Sequence, residues 1–237
     1  MTGLSARAPS PNPDGTQEKG GSDQGMLPLS LSATAALVGE YRWIENTLYR
    51  MLGTWVADMP VPPVQVHLDA QSLRHAWHAD LWADRLPVLA GVDPVALTVP
   101  SAAGAALFSV LGAYEITSDL PGSTWPPADE EPPPRPGALP RLAGLYRVVL
   151  PRLVTSYERH LQVTSATTDG PVARALRLVL NDEIADWQAG ERMVERLMTR
   201  GHDVIAVHEF VQRLETAVVV AGSSSGLAAI PAWVPED

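Results

Sequence analysis

The chain has 237 residues, 46% hydrophobic and 19% charged, with 27 acidic against 17 basic side chains and a formal charge of −10. That length suits one domain with a buried core, and the charge disfavours nucleic acid as a partner, because phosphate binding is dominated by Lys and Arg. Cysteine is absent, which excludes disulfides and thiol chemistry and leaves His and carboxylates as the ligands for any metal.

No run of ~18 apolar residues occurs, so no membrane span is expected. The opening MTGLSARAPSPNPDGTQEKGGSDQG lacks the apolar centre of a signal peptide, and a cytoplasmic protein is the expectation. Residues 1–28 are rich in Gly, Pro, Ser and Asp. They have little to bury against the entropy of ordering a backbone, and a disordered tail is expected. A helical domain is then expected over 29–221.

Helix one is expected from Ala33 to Val56 with Ser32 as N-cap. Its seam is Leu37, Tyr41, Ile44, Leu48, Met51 or Leu52, and Trp55, flanked by Glu40 and Glu45. Pro60, Pro62 and Pro63 end it. Helix two is expected from about Pro63 to Leu86, stopped by Pro87, and the short connection predicts an antiparallel pair. His67, Gln71, His75 (or its neighbour Arg74), His78 and Trp82 recur along it at steps of three or four, so three of the chain's six histidines share one stripe.

A long connection follows, with a helix expected at Ala102–Glu115. Its end, DLPGSTWPPADEEPPPRPG, is proline-dense and acidic, and 119–138 is expected to be extended. Helix three is expected from Leu139 or Arg141 to about Thr164, with Leu142, Tyr146, Val149, Leu153, Tyr157, His160 and Thr164 in its seam. Pro151 inside it predicts a kink, at ~3 kcal/mol if nothing compensates. Helix four starts at Asp169, Gly170 and Pro171. It carries Val172, Leu176, Val179, Glu183, Asp186 or Trp187, Gly190 and Val194 inward, and Gly201 closes it. A fifth helix is expected at Asp203–Val220, then an irregular tail over 222–237. No segment alternates with period two, so the fold class is all-α.

The stretches EYRWIENTLYRMLGTWV and HLDAQSLRHAWHADLWADRLPVL resemble the first two helices of ferritin-like proteins. YRVVLPRLVTSYERHL and ARALRLVLNDEIADWQAGERM resemble the third and fourth. The likeness covers roughly Leu31 to Thr199. It is greatest to the branch related to the tRNA-modifying hydroxylase and to actinobacterial ferritin-like proteins of unassigned role. It implies a four-helix bundle with a long crossover between helices two and three, plus an extra C-terminal helix. It also implies a metal site: that superfamily places one Glu on helix one and Glu-x-x-His on helix two, and repeats the pair on helices three and four. Here Glu45 or Glu40 matches the first position. His75-Ala-Trp-His78 stands on helix two, Glu158 or His160 on helix three, and Glu183-Ile-Ala-Asp186 on helix four. No intact Glu-x-x-His remains.

Glu45, His75, His78, His160, Glu183 and Asp186 are therefore the candidate metal ligands, and all but Asp186 are also candidate catalytic groups. The blander readings are a surface Glu45, hydrogen-bonded core histidines, and a buried salt bridge from Glu183 to Arg74 or Arg147. The expected function is metal-dependent oxidation or hydroxylation of a small organic molecule, with iron, mononuclear or paired, as the cofactor. A metal-free binding or structural protein is the alternative; iron storage fits less well, and a homodimer stays open.

Overall fold

The computed structural model describes residues 29–88, 90–112, 136–165, 167–223 and 226–228. The expected disorder of 1–28, residues 119–135 of the loop expected over 119–138, and the end of the tail lie outside the described residues; Ala138, the last residue of that expected loop, opens a helix. Within them every regular element is helical and no strand occurs, so the fold is all-α. No described helix is long and apolar enough to cross a membrane.

Helix α1 spans Leu31–Asp58. Its cap is Ser30, whose hydroxyl accepts from the Ala33 N–H at 3.2 Å, two residues before the expected Ser32. Both serines are capable caps, and the apolar seam begins early enough for the first to serve. Helix α2 spans Pro62–Ala83, and its prolines sit in the first turn, where no N–H is needed. It ends three residues before Leu86. A 3₁₀ turn at Pro94–Leu97 precedes α3, Ala102–Leu111. Gly112 ends α3 in the left-handed region at φ 92°, so the helix is shorter than expected.

Helix α4 (Ala138–Gly144), a π-helical turn (Leu145–Val149) and α5 (Leu150–Val163) follow one another without a break. The wide turn is the local answer to Pro151. That residue lacks an N–H and would crowd the carbonyl four residues back. With the Leu150 N–H bonded to the Leu145 carbonyl, the ladder widens just before the ring. Helix α6 spans Gly170–Leu197 and α7 Gly201–Val220, so Gly201 opens α7 rather than closing α6. The described part of the tail is irregular but not loose: Leu227 and Ala228 are buried, and their N–H groups donate to the Ser156 hydroxyl.

Contacts fix the helix directions. Glu45 meets His75 while Tyr49 meets Ser72, so α1 and α2 are antiparallel. His78 meets Asp182 while Arg74 meets Asp186, so α2 and α6 are antiparallel too. Gln71 pairs with Tyr146 and Trp82 with Tyr157, so the α4–α5 rod runs with α2. Gly190 is required where α6 crosses that rod, because a Cβ there would lie 2.0 Å from the Tyr146 ring. Helix α7 packs on α3 and α4 away from these seams.

Candidate metal centre

Four ionisable side chains meet inside the helices with no exposed surface: Glu45 from α1, His75 and His78 from α2, and Glu183 from α6. His75 and His78 are three residues apart, so one face of α2 presents both. Glu45 follows Ile44, and Glu183 follows Val179 by one turn, so each carboxylate rides on an apolar seam. The His75 Nδ1 lies 2.6 Å from Glu45 Oε2 and 3.2 Å from Glu183 Oε1. The His78 Nδ1 lies 3.1 Å from Glu183 Oε1 and 3.6 Å from Glu45 Oε2.

Two further groups orient this set. The Tyr157 hydroxyl donates to Glu45 Oε1 at 2.5 Å, which leaves Oε2 turned to the histidines. Asp182 Oδ2 sits 3.3 Å from His78 Nε2, which leaves Nδ1 facing inward. Trp82 stacks on the Tyr157 ring and Tyr41 meets its edge, so the tyrosine is held in place.

Each of the four offers one ligand atom, and all of these atoms lie within 4.8 Å of one another. A tetrahedral ion with bonds of ~2.0–2.1 Å needs ligand atoms ~3.3 Å apart. Three of the four distances above are within a few tenths of that edge, and the 2.6 Å pair is closed by a hydrogen bond. Within these four side chains, two buried atoms have no partner among the described residues: Glu183 Oε2 and His75 Nε2. A buried carboxylate oxygen without a donor calls for a cation or an ordered water. Two nitrogens and two oxygens suit zinc, iron(II) or manganese(II). The residues present therefore fit one metal ion.

Without a metal the group neutralises itself. Burial would raise Glu45, but His75 and His78 outweigh it and hold the carboxyl down at about 2. Burial would lower His75, but Glu183 and Glu45 push it up to about 9. His78 is pushed up to about 11 against its own burial, by Glu45 and Glu183. Both imidazoles are then protonated at neutral pH and face two carboxylates. A metal entering here must displace those protons.

The other candidates stand elsewhere. Asp186 is held through both oxygens by Arg74, whose Nε donates to Oδ2 at 2.8 Å, so it does not join the four ligands. The guanidinium fork matches a carboxylate better than any neighbouring group does. His160 is buried but one turn further along α5 than Tyr157, against the Tyr41 ring. That turn amounts to ~4.5 Å along the axis, so Tyr157, not His160, is level with Glu45. Burial pushes His160 down to about 4, against Asp169. Glu158 is exposed. Glu40 is buried elsewhere on α1 and accepts from the Ser101 N–H at 3.1 Å. His67 lies beside Tyr146, half-buried. Arg147 pairs with Glu191, so neither of the arginines expected beside Glu183 neutralises it as its salt-bridge partner.

The roles of Tyr157 and Asp182 were not legible in the sequence as site roles. Tyr157 stood in the expected seam, which was the available signal. Asp182, one residue before the seam position Glu183, carries no such signal; its side chain is 30% exposed. Comparison of the chain with protein-family models, curated proteins and solved structures returned no match.

Proposed function

We propose that the chain is a divergent ferritin-like metalloprotein in which Glu45, His75, His78 and Glu183 hold a single divalent ion. Iron is the first candidate, and metal-dependent oxidation or hydroxylation of a small organic molecule is the activity. The observation that carries the metal reading is the convergence of four fully buried donor atoms from three helices. The donor set supports one ion rather than two. Asp186 is committed to Arg74, and α5 presents Tyr157 where the ferritin-like pattern has a carboxylate. The likeness of the four helical stretches supports the family reading, together with a chain order of two antiparallel helices, a long connection and two more. A bound iron would supply the redox capacity. The chain's own residues orient the ligands through Tyr157 and Asp182, and keep bulk water from them by burial. A cytoplasmic location, a small-molecule partner and a homodimer belong to the same proposal.

Elemental analysis of the full chain, purified without added metal and then titrated with iron(II), zinc and manganese(II), tests it. About one ion per chain is expected, lost in His75→Ala and in Glu183→Gln. A folded wild-type protein that takes up none of the three ions overturns it.

The second reading is a metal-free structural or binding protein. It is favoured by the short contacts among the four groups, since two imidazolium ions and two carboxylates already cancel. It predicts no stoichiometric uptake and a large loss of stability on removing one member.

A further inference from the structure

A cavity of about 580 Å³ opens on the seam between α2 and α6, lined by Leu81, Arg85, Gly170, Pro171, Arg174 and others of α6. Its volume is in the range that takes a small organic molecule. Its charged lining is of one sign: Arg85 from α2 and Arg174 from α6, with no acidic residue in the wall among the described residues. That is notable in a chain with 27 acidic and 17 basic side chains. Neither guanidinium has a carboxylate partner among the described residues, whereas Arg74, Arg147 and Arg152 each have one. Among the described residues the Nε of Arg85 is buried without an acceptor, and the one bond of its head is a long one to the Asp84 carbonyl, at 3.5 Å. A guanidinium on a cavity wall without a carboxylate partner has donors to offer an acceptor from outside. The remaining wall is apolar, from Leu81, Pro171, Ala175 and Leu178.

We infer that this cavity binds a small organic anion: a carboxylate or phosphate head held between Arg85 and Arg174, with an apolar body against Leu81 and Leu178. The guanidinium fork takes either head through two parallel bonds. Leu81 follows His78 by three residues and Leu178 precedes Asp182 by four, so the cavity begins one helical turn beyond the His78–Asp182 contact. The anion site does not depend on a metal in the neighbouring centre.

Calorimetric titration of the full chain with hexanoate, hexyl phosphate, hexanol and inorganic phosphate tests this. At least one of the two amphipathic anions is expected to bind tenfold or more tightly than both hexanol and inorganic phosphate. The tighter of the two identifies the head. Arg85→Gln and Arg174→Gln are each expected to weaken that anion at least fivefold and to leave hexanol unchanged. Glu183→Gln is expected to leave anion binding intact, which separates this inference from the metal reading. Both arginines are outside the core, so the variants are expected to fold, as circular dichroism and thermal unfolding will check. No binding of either anion, equal binding of inorganic phosphate, or unchanged affinity in both arginine variants overturns it.

Discussion

The seam between α2 and α6 and the seam between α7 and its neighbours α3 and α4 are built from opposite materials. The first holds His75, His78 and Glu183, with Asp182 and the Arg74–Asp186 pair beside them. The second holds Val207, Phe210, Leu214 and Val218 of α7, with Phe210, Leu214 and Leu111 closing over Gly144. Both exclude water. The apolar seam is stabilised by area removed from solvent, and losing one member leaves a cavity but no unpaired charge. The polar seam is stabilised only as a set, because each charge is tolerable only while its partner is present.

That difference sets the size of each effect. In metal-free protein, Glu183→Ala leaves His75 facing Glu45 alone and His78 facing Glu45 and the part-exposed Asp182, and a loss of ~3–5 kcal/mol is expected. Leu214→Ala in the apolar seam is expected to lose ~3 kcal/mol, from transfer and cavity terms together. Urea unfolding of the two variants compares them directly. Replacing the whole set at once (Glu45→Met, His75→Leu, His78→Met, Glu183→Leu) is expected to come within ~2 kcal/mol of the wild type, because buried ion pairs exchanged for packed apolar groups are often close to neutral. If the fourfold variant is the sum of its single losses, the polar seam is no more cooperative than the apolar one, and the contrast fails.

How much of this could be read beforehand follows the same division. The helices were legible because their apolar positions repeat at the helical period, and because proline and glycine mark most of the breaks. Val207, Phe210, Leu214 and Val218 of α7 repeat at that period in the sequence. In the polar seam, periodicity placed His75, His78 and Glu183 inward, but could not say which groups meet. Asp186 is as close to the seam edge as a ligand would be, and only the reach of Arg74 from another helix removes it. His160 has the right face and the wrong height, and height depends on how far α5 slides along α1, which no local pattern encodes. Tyr157 was visible as a core residue. Its bond to Glu45 is a fact of two helices 112 residues apart in the chain.

Tyr157→Phe probes the join between the two kinds of seam, since Tyr157 is packed like a core residue and bonded like a site residue. A loss of ~1–2 kcal/mol is expected, because the ring is kept and one hydrogen bond to a buried carboxylate is removed. The sharper readout is at the ligands. With Oε1 released, Glu45 can rotate, so metal uptake is expected to weaken while the apolar core is untouched. Unchanged metal affinity with unchanged stability would remove Tyr157 from the site.

The smallest effects near neutrality, and the most discriminating, come from pH. His75 and His78 are raised from 6.5 to about 9 and about 11. Their stabilisation is fully present below pH 6.5 and is lost as pH rises through those two values. Glu45 is lowered from 4.5 to about 2, so its stabilisation is present above pH 4.5 and is lost as pH falls toward 2. Burial lowers His160 to about 4 and lowers His67 as well, so both remove stability as pH falls below 6.5. Metal-free protein is therefore expected to be most stable near pH 6.5, with a decline on each side for which the apolar seam has no group to answer. Metal removes the alkaline loss and adds an acid one, because histidines held neutral by the ion still take up protons in the unfolded chain below pH 6.5. An ion that replaces the two imidazole protons abolishes the loss above pH 6.5, and its own affinity rises there because fewer protons compete. Thermal unfolding from pH 5 to pH 10, with chelator and with zinc, shows whether the curves diverge upward in pH. Two parallel curves would mean that the ion binds somewhere other than these four side chains.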